Sequence, residues 1–194
     1  MPMSDAVAIT SIGFVSSVGV GANQSCAAAR AGLNGLTALP GVAVLDEDSG
    51  EMLPLLGHLA AGGIAAGFSD VGRLLALSRL ALDDLARNDG GTVKAPAPLL
   101  VAVGGDYYLR EHLRRQLAPA AASLPFPLEE IVEAESKRYK ERVHQGFTTR
   151  LAKQVKLPLN ASASRVAFGE QAALAKILPH AIASLKRGEC ESII

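Results

Sequence analysis

The last 34 residues, 161–194, constrain the fold most, because apolar segments and glycines alternate there in a fixed order. The segment opens within a strand predicted at 159–166, and Gly169 marks a tight turn after this strand. The apolar run 171–187 predicts a buried helix that ends at Gly188, and residues 189–194 predict the opening of another strand. A strand, a helix and a second strand in this order indicate a parallel α/β sheet.

The rest of the chain continues the alternation, giving the order strand, helix, loop, helix, strand, helical insertion, strand, helix, strand. We expect an α/β fold with a mainly parallel sheet covered by helices on both faces. The other strands are predicted at 6–13 and 98–105. The other helices are predicted at 24–31 with Asn23 as its cap, at 107–117, at 128–143 and at 146–156. One more is predicted to begin at Ser69-Asp70 and to be ended by Asn88-Asp-Gly-Gly91. For residues 33–69 we predict loops with one short strand near 53–59.

Composition excludes several classes of function. Formal net charge is zero, with 19 basic and 19 acidic residues, so the chain has no general attraction for nucleic acids or anionic lipids. No segment reaches the roughly 18 unbroken apolar residues of a membrane span, and the N-terminus lacks the pattern of a secretion signal. We therefore expect a cytoplasmic protein that binds neither nucleic acid nor membrane, with Cys26 and Cys190 both reduced.

Stretches spread over nearly all of the chain resemble, in the same order, the N-terminal half of a β-ketoacyl synthase of the thiolase superfamily. These stretches are residues 8–19, 26–35, 80–86, 99–105 and 182–190. The resemblance implies a thiolase-like layered fold that is incomplete, one half of the usual pseudo-dimer. Residues 1–194 would form this N-terminal half domain, with a helical insertion at about 106–157.

The same resemblance implies where a nucleophile would lie. In that family a cysteine thiolate, made more available by the positive end of the following helix, accepts the acyl chain. Counting back from Gly188 along the usual helix length places Gln171 at this position, and Glu170 or Ala172 if the register slips by one. None of the three can carry a thioester, so no catalytic residue is expected here. A further departure is Pro179 inside the helix, where a proline removes one hydrogen bond.

These features favour a ketosynthase-like protein that is catalytically inactive and acts as a structural, partner-binding or acyl-binding relative. Its implied partners are an acyl carrier protein or an acyl thioester, and a second copy in a homodimer, with no cofactor and no metal. The alternative is an active acyltransferase or decarboxylating ketosynthase whose other catalytic residues lie beyond Ile194. A third hypothesis is that the chain is an unrelated α/β binding domain.

Rival sites find less support in the sequence. Gly19-Val-Gly21 lacks the third glycine of a dinucleotide-binding fingerprint, and Ser162 and Ser164 do not stand in a Gly-x-Ser-x-Gly elbow. The alternation of these serines with alanines suits a strand at a two-fold dimer interface. The histidines show no metal-ligand spacing, either among themselves or with the cysteines. They are His58, His112, His144 and His180.

Overall fold

The computed structural model describes residues 6–60, 63–68, 70–90, 93–169 and 172–194. The chain divides into two compact units, one formed by residues 9–92 and the other by residues 93–194 with the first residues up to Ala8. The α/β class is confirmed, with five α-helices and two small sheets in the described residues. The expectation of a mainly parallel sheet is wrong: one two-stranded sheet is antiparallel and the other is parallel.

The unit of residues 9–92 contains two helices and an antiparallel hairpin. Its elements are α1 (Ala22–Arg30), β1 (Leu36–Leu45), β2 (Met52–His58) and α2 (Asp70–Asn88). The predicted short strand corresponds to β2, whereas β1 was not predicted, because Pro40 interrupts its pattern. The β1–β2 register shifts between Ala38 and Ala43, on either side of that proline. The strand predicted at 6–13 is wrong, since these residues belong to no ladder.

Asp84, on α2, connects this helix by hydrogen bonds to the start of α1 and to the segment before α1. Its side chain accepts hydrogen bonds from the N–H groups of Ala22 at 2.8 Å and Phe14 at 3.1 Å, and from Arg87 at 3.2 Å. Burial raises the pKa of Asp84, but the three hydrogen bonds outweigh burial and leave this pKa below its usual value. Ala22 is the first residue of α1, so a carboxylate from another helix caps α1. The predicted cap by Asn23 is wrong, and Gly21 occupies the cap position.

Gly13 lies against the backbone of α2 more closely than any other residue type allows. A Cβ atom at this position would lie 2.0 Å from the carbonyl oxygen of Ala81 and 2.5 Å from the nitrogen of Leu85. The segment that precedes α1 therefore packs on α2 through its backbone, and a side chain here would force the two apart.

The unit of residues 93–194 is built around a parallel strand pair. Its elements are β3 (Leu100–Val103), α3 (Tyr107–Leu117), a 3₁₀ turn (Ala118–Ser123), α4 (Leu128–Ala152), β4 (Arg165–Phe168) and α5 (Ala173–Lys186). Leu100 pairs with Arg165 and Val103 with Phe168. On the other side of β3, the Ile194 N–H donates to the Pro98 carbonyl at 3.1 Å, and the Ile194 carbonyl accepts from Leu100 at 2.7 Å. These two bonds follow the parallel pattern at one residue, but residues 189–194 form no strand, so the strand predicted there is wrong.

A loop interrupts the parallel pairing on the β4 side. Ala97 pairs in parallel with Leu159, but the ladder resumes only at Leu100 and Arg165. Between these points the Leu99 N–H donates to the Ser164 hydroxyl at 2.8 Å. The predicted strand 159–166 is therefore two short pieces separated by a loop, with a serine side chain replacing one backbone acceptor.

Helix α4 supplies the centre of this unit's core. It is one helix of 25 residues, although two were predicted, because the chain continues helically through Gly146. Among the described residues, the largest fully buried side chains all belong to α4; they are Phe147, Leu151, Val132, Val143 and Ser136. They recur at spacings of four or seven residues, which places them along one face of the helix. The helical insertion thus carries the apolar surface that packs under β4.

Candidate functional site

The carboxyl ends of the parallel strands β3 and β4 lie beside a cavity of about 300 Å³. The residues that line it are Gly105, Asp106, Lys140, Phe168 and Gly169. Open α/β sheets bind ligands outside the carboxyl ends of their strands, so this carboxyl-edge cavity is the candidate site. The Ala172 N–H, just before α5, donates a hydrogen bond to the Gly169 carbonyl at 2.9 Å.

Asp106 and Lys140 form the charged wall of this cavity. The Asp106 carboxylate accepts a hydrogen bond from the Ser136 hydroxyl, and its Oδ2 lies 3.2 Å from Lys140 Nζ and 3.9 Å from Arg110 Nη1. Burial raises the pKa of Asp106, but the hydrogen bonds from Ser136 and Lys140 outweigh burial, and the net pKa is below the usual value. Asp106 is therefore ionised at neutral pH and its charge is already paired. This arrangement suits an ordered polar wall more than a proton donor or acceptor.

Phe168 forms the apolar wall, and two aromatic rings of α4 fix its position. The Phe168 ring centroid lies 6.0 Å from that of Tyr139 and 5.2 Å from that of His144, both edge to face. On α5, Lys176 Nζ donates to the Phe168 carbonyl at 3.4 Å. His144, which the sequence left without a role, therefore packs against the candidate site and holds one of its walls.

The positions predicted to replace the nucleophile follow the cavity directly in the chain. Gln171 and Glu170 lie outside the described residues, while Ala172 is exposed just before α5 begins. Cys190 lies beyond the far end of α5, a helix of 14 residues that spans about 21 Å. Cys26 is exposed on α1, in the unit of residues 9–92. Among the described residues, none with a thiol lines the carboxyl-edge cavity.

Helix α5 is less buried than its sequence predicts. Ala173, Ile177 and Ser184 are buried, but Leu174 is 61% exposed and Leu178 is 50% exposed. The expectation of a buried helix is therefore wrong for the face that carries Leu174 and Leu178, which lies beside the buried face of Ile177. The helix continues through Pro179, whose side chain is exposed.

A second cavity, of about 490 Å³, lies around Pro98, Arg165, His180, Glu189 and Cys190, at the start of the strands and the end of α5. Burial, and then the charge of Glu189, raise the pKa of the Cys190 thiol. A thiol with a raised pKa is a poor nucleophile at neutral pH. Within the described ranges, no group of three or more His, Cys, Asp or Glu residues could hold a metal ion.

None of the remaining candidates from the sequence is among the described residues that line the carboxyl-edge cavity. His58 is in β2, where its Nδ1 lies 3.3 Å from the Ser17 hydroxyl. His112 is exposed on α3. The Ser162 hydroxyl donates to the Asn160 side chain at 2.8 Å, and the Ser164 hydroxyl donates to the Asn160 carbonyl at 2.7 Å. Both serines therefore form hydrogen bonds within the loop before β4. The dimer interface predicted on that strand stays a prediction.

Sequence reasoning missed the two charged residues of the candidate site. Asp106 follows two glycines directly after β3, so the rule that ligands bind at carboxyl ends of strands was sufficient to find it. Lys140 comes from the helical insertion, and nothing in its sequence surroundings indicates that α4 brings it to Asp106.

Comparisons of the chain with models of known protein families, with curated proteins and with solved structures find no match. Among the described helices, none is long and apolar enough to cross a membrane. The resemblance to β-ketoacyl synthases, together with the thiolase-like layered fold that it implies, therefore stays a prediction from sequence.

Proposed function

We propose that the chain is a ketosynthase-like protein with a thiolase-like layered fold, and that it binds an acyl thioester or an acyl carrier protein without forming a covalent intermediate. The observation that carries the proposal is the position of the carboxyl-edge cavity. It lies where two parallel strands end and where the turn into α5 begins. The resemblance assigns the acyl-accepting thiol to this turn, but the sequence from Phe168 to Ala173 contains no cysteine.

The walls of the cavity support binding in place of covalent chemistry. The carboxylate of Asp106 is already paired with Lys140 and Ser136, and the Ser136 side chain is fully buried, so it cannot reach a substrate. Phe168 offers an apolar surface for an acyl chain. The amide of Gln171 cannot attack a thioester as a cysteine thiolate does, so an acyl group entering here would stay on its carrier.

Restoring a thiol tests this proposal most directly. In a background with Cys26→Ser and Cys190→Ser, we would make three single-cysteine variants, Glu170→Cys, Gln171→Cys and Ala172→Cys. Each is incubated with an acyl thioester, and the intact mass of the protein is measured. We expect Gln171→Cys to gain one acyl group faster than its two neighbours, because it stands where the family's nucleophile would be. The neighbours serve as matched controls for the register.

The unsubstituted protein decides between the binding role and the catalytic alternative. We expect it to gain no mass with acyl or malonyl thioesters and to release no carbon dioxide from a malonyl thioester. An adduct on any native residue, or steady release of carbon dioxide, would establish the catalytic alternative. Equal and slow acylation of all three cysteine variants would remove the family assignment itself.

A further inference from the structure

A third cavity lies entirely within the unit of residues 9–92 and has a volume of about 650 Å³. Its apolar lining comes from the β1–β2 hairpin and from the segment that follows β2. The apolar residues are Leu39, Pro40, Leu59, Ala60, Ala65 and Ala66. Pockets for small organic ligands have this volume range and a mainly apolar lining with few polar groups.

Arg73, on α2, is the one charged residue among the described residues that line this cavity. It is exposed and forms no ion pair with a described acidic residue. The other two arginines of α2 differ, since Arg79 lies 4.0 Å from Asp83 and Arg87 lies 3.2 Å from Asp84. A guanidinium without a partner beside an apolar surface offers charge-assisted hydrogen bonds to a carboxylate.

Two hydroxyl groups, from Ser17 and Thr37, complete the polar part of the lining. The Ser17 hydroxyl donates to the Asn34 carbonyl at 3.3 Å, whereas the Thr37 hydroxyl has no hydrogen-bond partner in the part of the chain that the structure describes. The lining therefore combines one cation, one hydroxyl group that can still bind a ligand and a larger apolar surface.

We propose that this cavity is a binding site for a small aliphatic carboxylate. The hydrocarbon lies against Leu39 and Leu59, and the carboxylate accepts hydrogen bonds from Arg73 and Thr37. This site is independent of the carboxyl-edge cavity, which belongs to residues 93–194 and is lined by different residues. It requires no thiol and no covalent step.

Isothermal titration calorimetry of the full chain with butanoate, octanoate, octan-1-ol and octylamine tests the proposal. We expect octanoate to bind more tightly than butanoate, because more apolar surface is buried. It should also bind more tightly than the alcohol or the amine, because only the carboxylate pairs with Arg73. Methyl NMR spectra should place the octanoate shifts at Leu39 and Leu59.

Three variants localise the effect. Arg73→Gln should weaken octanoate binding about tenfold, the loss expected for one hydrogen bond to a charged group. Arg79→Gln, on the same helix but outside the cavity, should leave the affinity unchanged. Ala66→Phe should block the cavity from an exposed position without disturbing the buried core. Octylamine binding as tightly as octanoate, an unchanged affinity in Arg73→Gln, or no binding at millimolar octanoate would each overturn the proposal.

Discussion

Replacing Asp84 by alanine is expected to free the start of α1 from α2. Asp84 is 5% exposed and accepts two backbone hydrogen bonds, from Ala22 at 2.8 Å and from Phe14 at 3.1 Å. The N–H groups at the start of a helix have no partner within that helix, so the carboxylate serves α1 as a cap from outside it. Without the carboxylate, these N–H groups lose their acceptor.

The magnitude follows from the number and kind of bonds lost. Each hydrogen bond to a charged group contributes about 1.5 kcal/mol or more, so the two backbone bonds together contribute about 3 kcal/mol. The Arg87 side chain is 63% exposed, and its pairing with Asp84 adds little. A loss of about 3 kcal/mol raises the population of the opened segment more than a hundredfold.

Hydrogen exchange measured by mass spectrometry can follow the opening of this segment separately from the rest of the chain. In Asp84→Ala, peptides covering residues 14–30 should exchange about a hundredfold faster than in the unsubstituted chain. Asp84→Asn, which keeps one acceptor oxygen but loses the charge, should give an intermediate rate, and Arg87→Ala should change the rate little. Unchanged exchange at 14–30 in Asp84→Ala, or an equal effect of Arg87→Ala, would refute the capping role of the carboxylate.

Three further predictions concern stability, each read as the free energy of unfolding in urea. Gly13→Ala should lower the free energy of unfolding by several kcal/mol, because the new Cβ would lie 2.0 Å from the Ala81 oxygen. Gly72→Ala, the control within α2, should raise it by about 1 kcal/mol through helix propensity. Equal effects of the two substitutions would contradict the close packing of Gly13 on α2. Ser11→Ala should raise it by about 1 kcal/mol, because the buried Ser11 hydroxyl has no hydrogen-bond partner among the described residues, and a clear loss would reveal one. Asp106 has a lowered pKa in the folded state, so its stabilisation should be complete above the unfolded pKa of about 3.9 and disappear as the pH falls through the folded pKa. Asp106→Asn should lose this dependence of stability on pH. If the substitution leaves the pH profile of stability unchanged, the ion pair is excluded as the source of that dependence.

The helices were predictable because their apolar residues recur at helical spacing over long segments. The bounds predicted for α3 agree with the structure, and the helix predicted to begin at Ser69-Asp70 corresponds to α2. The missed element, β1, contains a proline in the middle of a strand. The strand predicted at 6–13 has suitable residues but finds no neighbour to pair with. Pairing is a long-range property that β propensity does not determine.

The candidate site was less predictable than the fold because its parts come from distant segments. Asp106 and Lys140 are 34 positions apart in the chain, and they meet because α4 packs against α3 and β4. Local sequence patterns show neither the contact nor the cavity. The exposed face of α5 was also unpredictable, since a helix that is apolar on nearly all sides is usually covered on all of them.

The division into two compact units decides what optical spectroscopy can detect. The chain has three tyrosines and no tryptophan, and all three tyrosines fall within residues 93–194. Near-ultraviolet absorbance and intrinsic fluorescence therefore report on that unit and scarcely register the melting of the other. A sharp fluorescence transition would leave the state of the α1–hairpin–α2 unit undetermined, and a tryptophan placed within residues 9–92 would give that unit a signal of its own.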